Sequence, residues 1–212
     1  MTANFLTKLH IAGLEARNSL GQGSGLTLYP VVDGLYVTCP KQDSVLTLIK
    51  RMMRMLALSF IFETEAFKHF MVRGGLAYGP VWEGSALILE KHYALRNNPD
   101  HAQHILLGPS VTQAHESESN ASPFGVWVHE SARTFRPAES PHAITTTHWH
   151  WWKYKADDVD DILVPTLRDH IKAYLGWCKR NSTYILYRDD RIEAHTRLAT
   201  QYFTLHTLPD TQ

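Results

Sequence analysis

The chain has 212 residues, 44% hydrophobic and 20% charged, a balance that supports a packed core in one domain of ordinary size and excludes a disordered chain. Its 21 Lys and Arg equal its 21 Asp and Glu and are scattered, which argues against a broad nucleic-acid surface or a polybasic membrane patch. Cys39 and Cys178 fit no zinc or redox spacing, and the apolar run Leu56 to Phe62 is too short for a bilayer. Met1-Thr2-Ala3-Asn4 lacks the features of a signal peptide, so the expectation is a soluble protein of a reducing cytoplasm, with no nucleic-acid and no membrane partner.

Asn4 to Leu20 reads as a helix, because Phe5, Leu6, Leu9, Ile11 and Leu14 form an apolar stripe; Gly21 to Gly25 stops it. Leu26 to Val32 and Leu35 to Cys39 are short apolar strands meeting at Asp33-Gly34, the strongest local signal for a tight antiparallel hairpin. Asp33 has two readings: turn chemistry alone, or a carboxylate at the sheet's rim that ligates a divalent cation. Pro40 closes the second strand, and Asp43 or Ser44 can cap a helix from Val45 into Phe62. Its Leu46, Leu48, Ile49, Met52, Met53, Leu56 and Leu58 mark it as buried against the sheet.

Phe70 to Gly79 reads as a strand whose glycines let a backbone or a ligand approach closely. Val81 to Leu89 continues it as a strand or strand–helix passage, Glu90 to Arg96 is helical, and Asn97 to Asp100 is a surface turn. Ile105 to Leu107 is a short strand broken by Gly108-Pro109. Ser110 then caps a helix from Val111 to Asn120, and Phe124 to His129 returns as a strand. Ser131 to Pro141 is a polar excursion, and Thr145 to Tyr154 is strand-like. Within it, His148-Trp149-His150-Trp151-Trp152 puts both histidines on one face; lacking a third ligand, it points to core or dimer packing and not to zinc. Asp157 to Asp161 opens a helix to Lys179 with its acids solvated at the positive end. After a break at Asn181, Asp190 to Phe203 is the last helix. The alternation indicates an α+β layer with helices on one face.

This order of motifs resembles the catalytic domain of the class III nucleotidyl cyclases: a hairpin Asp, a buried helix, an R-x-G-x-x-x-G strand, and a later helix reading G-x-x-V-x-x-A-x-x-x-E. Here they are Asp33, Val45 to Phe62, Arg73-Gly74-Gly75-Leu76-Ala77-Tyr78-Gly79, and Gly108 to Glu118. The resemblance covers about Leu26 to Val128 plus Arg191 to His195. It looks strongest toward the bacterial pyrimidine (uridylate and cytidylate) cyclases of Pycsar anti-phage systems, which share the R-G-x-x-x-Y-G wording.

The resemblance implies a ferredoxin-like fold, an antiparallel sheet with helices packed on it, here lacking the family's first strand. Residues 1–155 would be the catalytic domain and 156–212 a helical extension. It implies a homodimer with active sites between the copies. Asp33 would be the catalytic carboxylate and ligand of Mn2+ or Mg2+, and Tyr29, Arg73 and Tyr78 would contact nucleotide. Purine cyclases read adenine with a Lys and an Asp where this chain has Tyr29 and Ile105, which disfavours adenine and suits a pyrimidine. The implied reaction turns UTP or CTP into the 3′,5′-cyclic nucleotide and pyrophosphate, an anti-phage messenger read by a separate effector. Taken alone, Tyr29 is equally a satisfied sheet tyrosine, Arg73 a surface ion pair and Tyr78 a packing residue. The chain departs from the pattern twice: the opening strand with its own Asp is missing, and Thr112 and Glu116 stand where purine cyclases have Asn and Arg. Two other classes therefore remain, a cyclase-like nucleotide-binding or regulatory domain without turnover, and an interaction module built on the Trp-rich strand.

Overall fold

The apolar stripe of α1 (Thr2–Asn18) buries Leu9, Ala12 and Ala16 against α2 (Gln42–Ile61) in a computed structural model that describes residues 2–84, 86, 93–134 and 144–204. Gly13 sits where a Cβ would meet Leu35 at 2.7 Å, with Met52 and Leu28 just beyond, so α1 packs on the second helix and on the hairpin together. That hairpin is β1 (Thr27–Val31) and β2 (Gly34–Thr38), paired antiparallel with Tyr29 opposite Tyr36. Helix α2 serves two apolar clusters. Leu48 joins Ala16 and Leu26 toward the hairpin, whereas Leu46, Met53, Leu56, Ala57 and Phe60 enter the main core.

Helix α2 starts three residues earlier than its apolar pattern suggests, after Lys41 and with no side-chain cap. Asp43 instead accepts hydrogen bonds from the Tyr154 hydroxyl and from Lys155 Nζ at 2.9 Å, tying the helix start to the chain before the C-terminal helices. The second expected cap is also displaced. The helix Pro109–Ser119 begins directly behind Gly108, and Ser110 Oγ donates to the Pro80 carbonyl at 2.9 Å. Gly108 has a φ of 141°, and a Cβ there would lie 2.5 Å from the Pro80 carbonyl, so the entry to this helix needs glycine.

Strand β3 (Gly74–Leu76) covers three residues of the longer strand expected. Past it, the Tyr78 N–H turns to Ser131 Oγ at 3.1 Å and Gly79 takes a φ of 157°, which ends the pairing. Then come β4 (Trp82–Glu83), α3 (Tyr93–Arg96), α4 (Pro99–Ala102), β5 (Leu106–Leu107) and α5 (Pro109–Ser119). The predicted surface turn at Asn97 to Asp100 is largely the first turn of α4, with Pro99 at a position where its missing N–H costs nothing. Strand β6 (Val126–Val128), α6 (Glu130–Thr134) and β7 (His148–Trp149) follow. The expected passage over 87–89, the first residues of the 90–96 helix, and the excursion from 135 to 141 lie outside the described residues.

The fold is α+β, as the alternation implies. Among the described residues, however, the strands form three small sheets and no continuous antiparallel one. The hairpin stands by itself, β3 runs parallel to β6 which is antiparallel to β7, and β4 pairs antiparallel with β5.

The C-terminal helices α7 (Asp158–Arg180), α8 (Ser182–Ile185) and α9 (Asp189–Thr204) share the main core with the rest of the chain. Pro165 lies inside α7 without ending it. The Trp-rich segment packs into this core. Trp151 is fully buried and donates from Nε1 to the Phe124 carbonyl at 2.9 Å, Trp152 stacks on Phe203 at 5.4 Å, and the Tyr202 hydroxyl donates to the Trp149 carbonyl at 2.6 Å. The acids that open α7 are not all solvated. Asp157 caps the helix in a capping box with Asp160, but Asp160 is 2% exposed and pairs with the buried Lys50 of α2 at 2.7 Å. Lys50 Nζ also donates to the Lys155 carbonyl at 2.6 Å.

Candidate functional site

The hairpin tip is Val32-Asp33, and Gly34 already opens β2 opposite Val31. No residue of the tip has a positive φ, so this is not the mirror-image turn that Asp-Gly usually signals. The tip projects: Val32 is 92% exposed, and Asp33 is exposed with no hydrogen-bond or ion-pair partner among the described residues. On the hairpin face shared by Thr38, Tyr36 and Tyr29, burial pushes the Tyr36 hydroxyl up, and the carboxylates of Asp33 and then Glu118 add to that shift. Glu118 is on α5, so the tip of the hairpin and the end of that helix act on the same hydroxyl.

Tyr29 is buried, and its hydroxyl is already engaged. Burial first, and the Glu83 carboxylate bonded to it second, push it up to about 12. Glu83, on β4, also accepts from the Thr38 hydroxyl at 3.1 Å. The partner of Tyr29 is thus a carboxylate from another small sheet, one that no local pattern singles out.

Arg73 closes on α5. Its guanidinium lies 2.9 Å from Glu118 Oε1 and donates to the Ser119 carbonyl at 3.2 Å. Two residues on, Gly75 meets the same helix. A Cβ at Gly75 would fall 1.9 Å from the Ala114 carbonyl oxygen and 2.7 Å from the Glu118 nitrogen. Gly79 likewise rests near Ser110, and Gly108 against Pro80 and Val81. The glycine-rich strand and the later helix, noticed separately in the sequence, are therefore one packed unit. Its contacts fall on the positions that made each motif visible.

The four predicted residues do not converge. Arg73 lines a cavity of about 380 Å³ that no hairpin residue reaches. Tyr78 is 45% exposed and borders a separate pocket of about 70 Å³ with Cys39, Pro40 and Gln42. Tyr29 faces Glu83, and Asp33 faces solvent. A divalent cation finds a partial fit at most. Among the described residues no three His, Cys, Asp or Glu side chains are grouped to hold a metal, and Glu118 is already paired with Arg73. At the hairpin tip the described residues supply one uncommitted carboxylate, Asp33, too few for a two-cation centre.

Two further features escaped the sequence. Lys50 had a signal: it lies on the same helical stripe as Leu46, Met53 and Ala57, where a charge must be buried and therefore paired. The second is His195 on α9. Burial, then the charges of Arg73 and Arg191, hold its imidazole down at about 4, and its Nδ1 meets the Tyr187 hydroxyl. No helix among the described residues is long and apolar enough to cross a membrane. No known family profile, curated protein or solved structure matches the chain.

Proposed function

We propose that this chain is a class III cyclase-like protein that binds a pyrimidine nucleoside triphosphate. As a cytoplasmic homodimer it would convert UTP, or CTP, to the 3′,5′-cyclic nucleotide and pyrophosphate, a messenger in anti-phage defence read by a separate effector. The observation that carries the reading is the joining of the two motif segments: Arg73 pairs with Glu118, and Gly75 packs on Ala114 and Glu118. Segments matched only by chance have no reason to meet through their own motif positions. The hairpin adds an exposed carboxylate, Asp33, which acts on the Tyr36 hydroxyl as Glu118 does.

In this reading the ribose 3′-oxygen attacks the α-phosphorus and pyrophosphate leaves, a transfer governed by positioning and charge stabilisation. Mn2+ or Mg2+ is the cation required, and Asp33 the side chain that would hold it. A dimer is required too, because the described residues of one copy do not complete the ligand set.

A second reading, nucleotide binding without turnover, is favoured by a different observation: among the described residues Asp33 stands alone, without the second carboxylate that a two-cation centre needs. One experiment separates them. The protein is incubated with each nucleoside triphosphate and Mn2+, products are identified by mass, and thermal stability is recorded with and without nucleotide. Cyclic UMP or cyclic CMP, lost in Asp33→Ala, supports the enzyme. Stabilisation by UTP or CTP without product supports the second reading, and neither effect removes both.

A further inference from the structure

The cavity that Arg73 lines lies between the approach to β3 and the C-terminal helices, and at about 380 Å³ it is in the size range of small-molecule sites. One part of its wall is aromatic. Phe70 lies 5.3 Å from Phe5 with Lys8 Nζ over its ring, and Tyr174 is stacked with both His69 at 5.1 Å and Trp177 at 6.0 Å, so these rings meet the cavity by their edges. Another part is cationic, with Arg73 from the strand side and Arg191 from α9. Glu118 balances Arg73, but Arg191 has no carboxylate in ion-pair range among the described residues. His195 lies with them and is neutral at ordinary pH, for the reasons given above. Among the described residues the cavity therefore holds one uncompensated positive charge beside aromatic rings. Its rim carries Leu186, 90% exposed, which ends α8 in the left-handed conformation of a helix C-cap at a φ of 53°.

We propose that this cavity binds a small monoanion with a planar aromatic body, its charge against Arg191 and Arg73 and the face of its ring against the edges of Phe70 and Tyr174. Guanidinium groups pair with carboxylate or phosphate oxygens, and aromatic edges pack favourably on the faces of planar rings. A triphosphate carries several negative charges and is poorly matched to one free cation. A cyclic nucleotide phosphodiester and an aromatic carboxylate both satisfy the description. The site is separate from the hairpin and does not depend on turnover at Asp33.

Calorimetric titration of the full chain with cyclic UMP, indole-3-acetate, uridine and inorganic phosphate tests the proposal. At least one of the two aromatic monoanions is expected to bind saturably, about tenfold or more tighter than uridine or phosphate. Arg191→Gln, at an exposed position, should weaken it by about tenfold, and Leu186→Asp, which adds a negative charge at the rim, should weaken it similarly. Asp33→Ala should leave it unchanged. Which probe binds identifies the phosphodiester or the carboxylate as the anion. The proposal is overturned if neither monoanion binds up to about 1 mM, if uridine binds as well, or if affinity responds to Asp33→Ala and not to Arg191→Gln. Turnover lost in Asp33→Ala with cavity affinity intact would keep the two proposals apart.

Discussion

The two faces of α2 support unlike neighbourhoods. Toward the hairpin, Leu48 closes a small cluster with Ala16 and Leu26, and beyond it the chain thins to an exposed tip. On the opposite face, Phe60 meets Phe124 at 5.1 Å and Tyr174 at 5.7 Å, and the same core continues through Trp151, Trp152, Tyr202 and Phe203. Full burial of each such ring contributes roughly 1.5–3 kcal/mol. The side of the molecule that carries the clearest chemical motif is thus the side with the least packing behind it. A tip that must approach a ligand or a second copy is free to project only because stability is supplied elsewhere.

The sharpest way to break that comparison is to remove one carboxylate from each side. Asp160→Ala leaves the buried Lys50 ammonium without its partner, and urea denaturation should show a loss of about 3–5 kcal/mol. The double change Lys50→Met with Asp160→Leu removes both charges and should recover most of that loss. Asp33→Ala, at an exposed tip with nothing to release, should move the same midpoint by less than about 0.5 kcal/mol. Equal losses in the two single variants would mean that the hairpin carries structural weight not visible in its packing.

Next in size is Gly75→Ala. The added methyl would sit 1.9 Å from the Ala114 carbonyl, a backbone atom that cannot rotate aside, so β3 and α5 must separate. Overpacking of this kind costs about 1–3 kcal/mol and occasionally more. Because Arg73 and Glu118 flank the contact, the same variant should weaken nucleotide-dependent stabilisation if the motif unit supports the ligand. Gly23→Ala is a control, since nothing lies within 4 Å of a Cβ there. A Gly75→Ala protein as stable as the parent would show that the strand and helix do not pack as described.

What was legible in the sequence follows the range of the physics involved. The long helices, the hairpin and the Asn181 break rest on local periodicity and turn chemistry, and they stand where expected to within a few residues. The caps failed because tertiary partners outbid local ones: Asp43 is taken by Tyr154 and Lys155, and Ser110 by Pro80. The solvated reading of the acids opening α7 failed for a related reason. A local dipole argument suits Asp157, but Asp160, three residues on, faces inward to a lysine 110 positions away. Candidate site residues fared unevenly. Arg73 proved to be tied to the very helix its motif accompanies, while the partner of Tyr29 came from a two-residue strand that no local pattern announces.

A smaller loss than that of Gly75→Ala is expected at neutral pH for that tyrosine, and its pH dependence has a definite sign. The folded hydroxyl is pushed up to about 12 from an ordinary value of 10.0, so folding favours the neutral form. Stability from this source is complete below pH 10 and is lost as pH rises through about 12, because the unfolded chain ionises first. Tyr29→Phe should cost about 1 kcal/mol at pH 7, from the lost bond to Glu83. Its stability should then fall less steeply than the parent's above pH 10, since the ionising group is gone while the other buried tyrosines remain. Parallel curves for the two proteins would mean that the hydroxyl is not held by burial and Glu83. It would then be free to meet a base, and the hairpin would be a more open site than its packing implies.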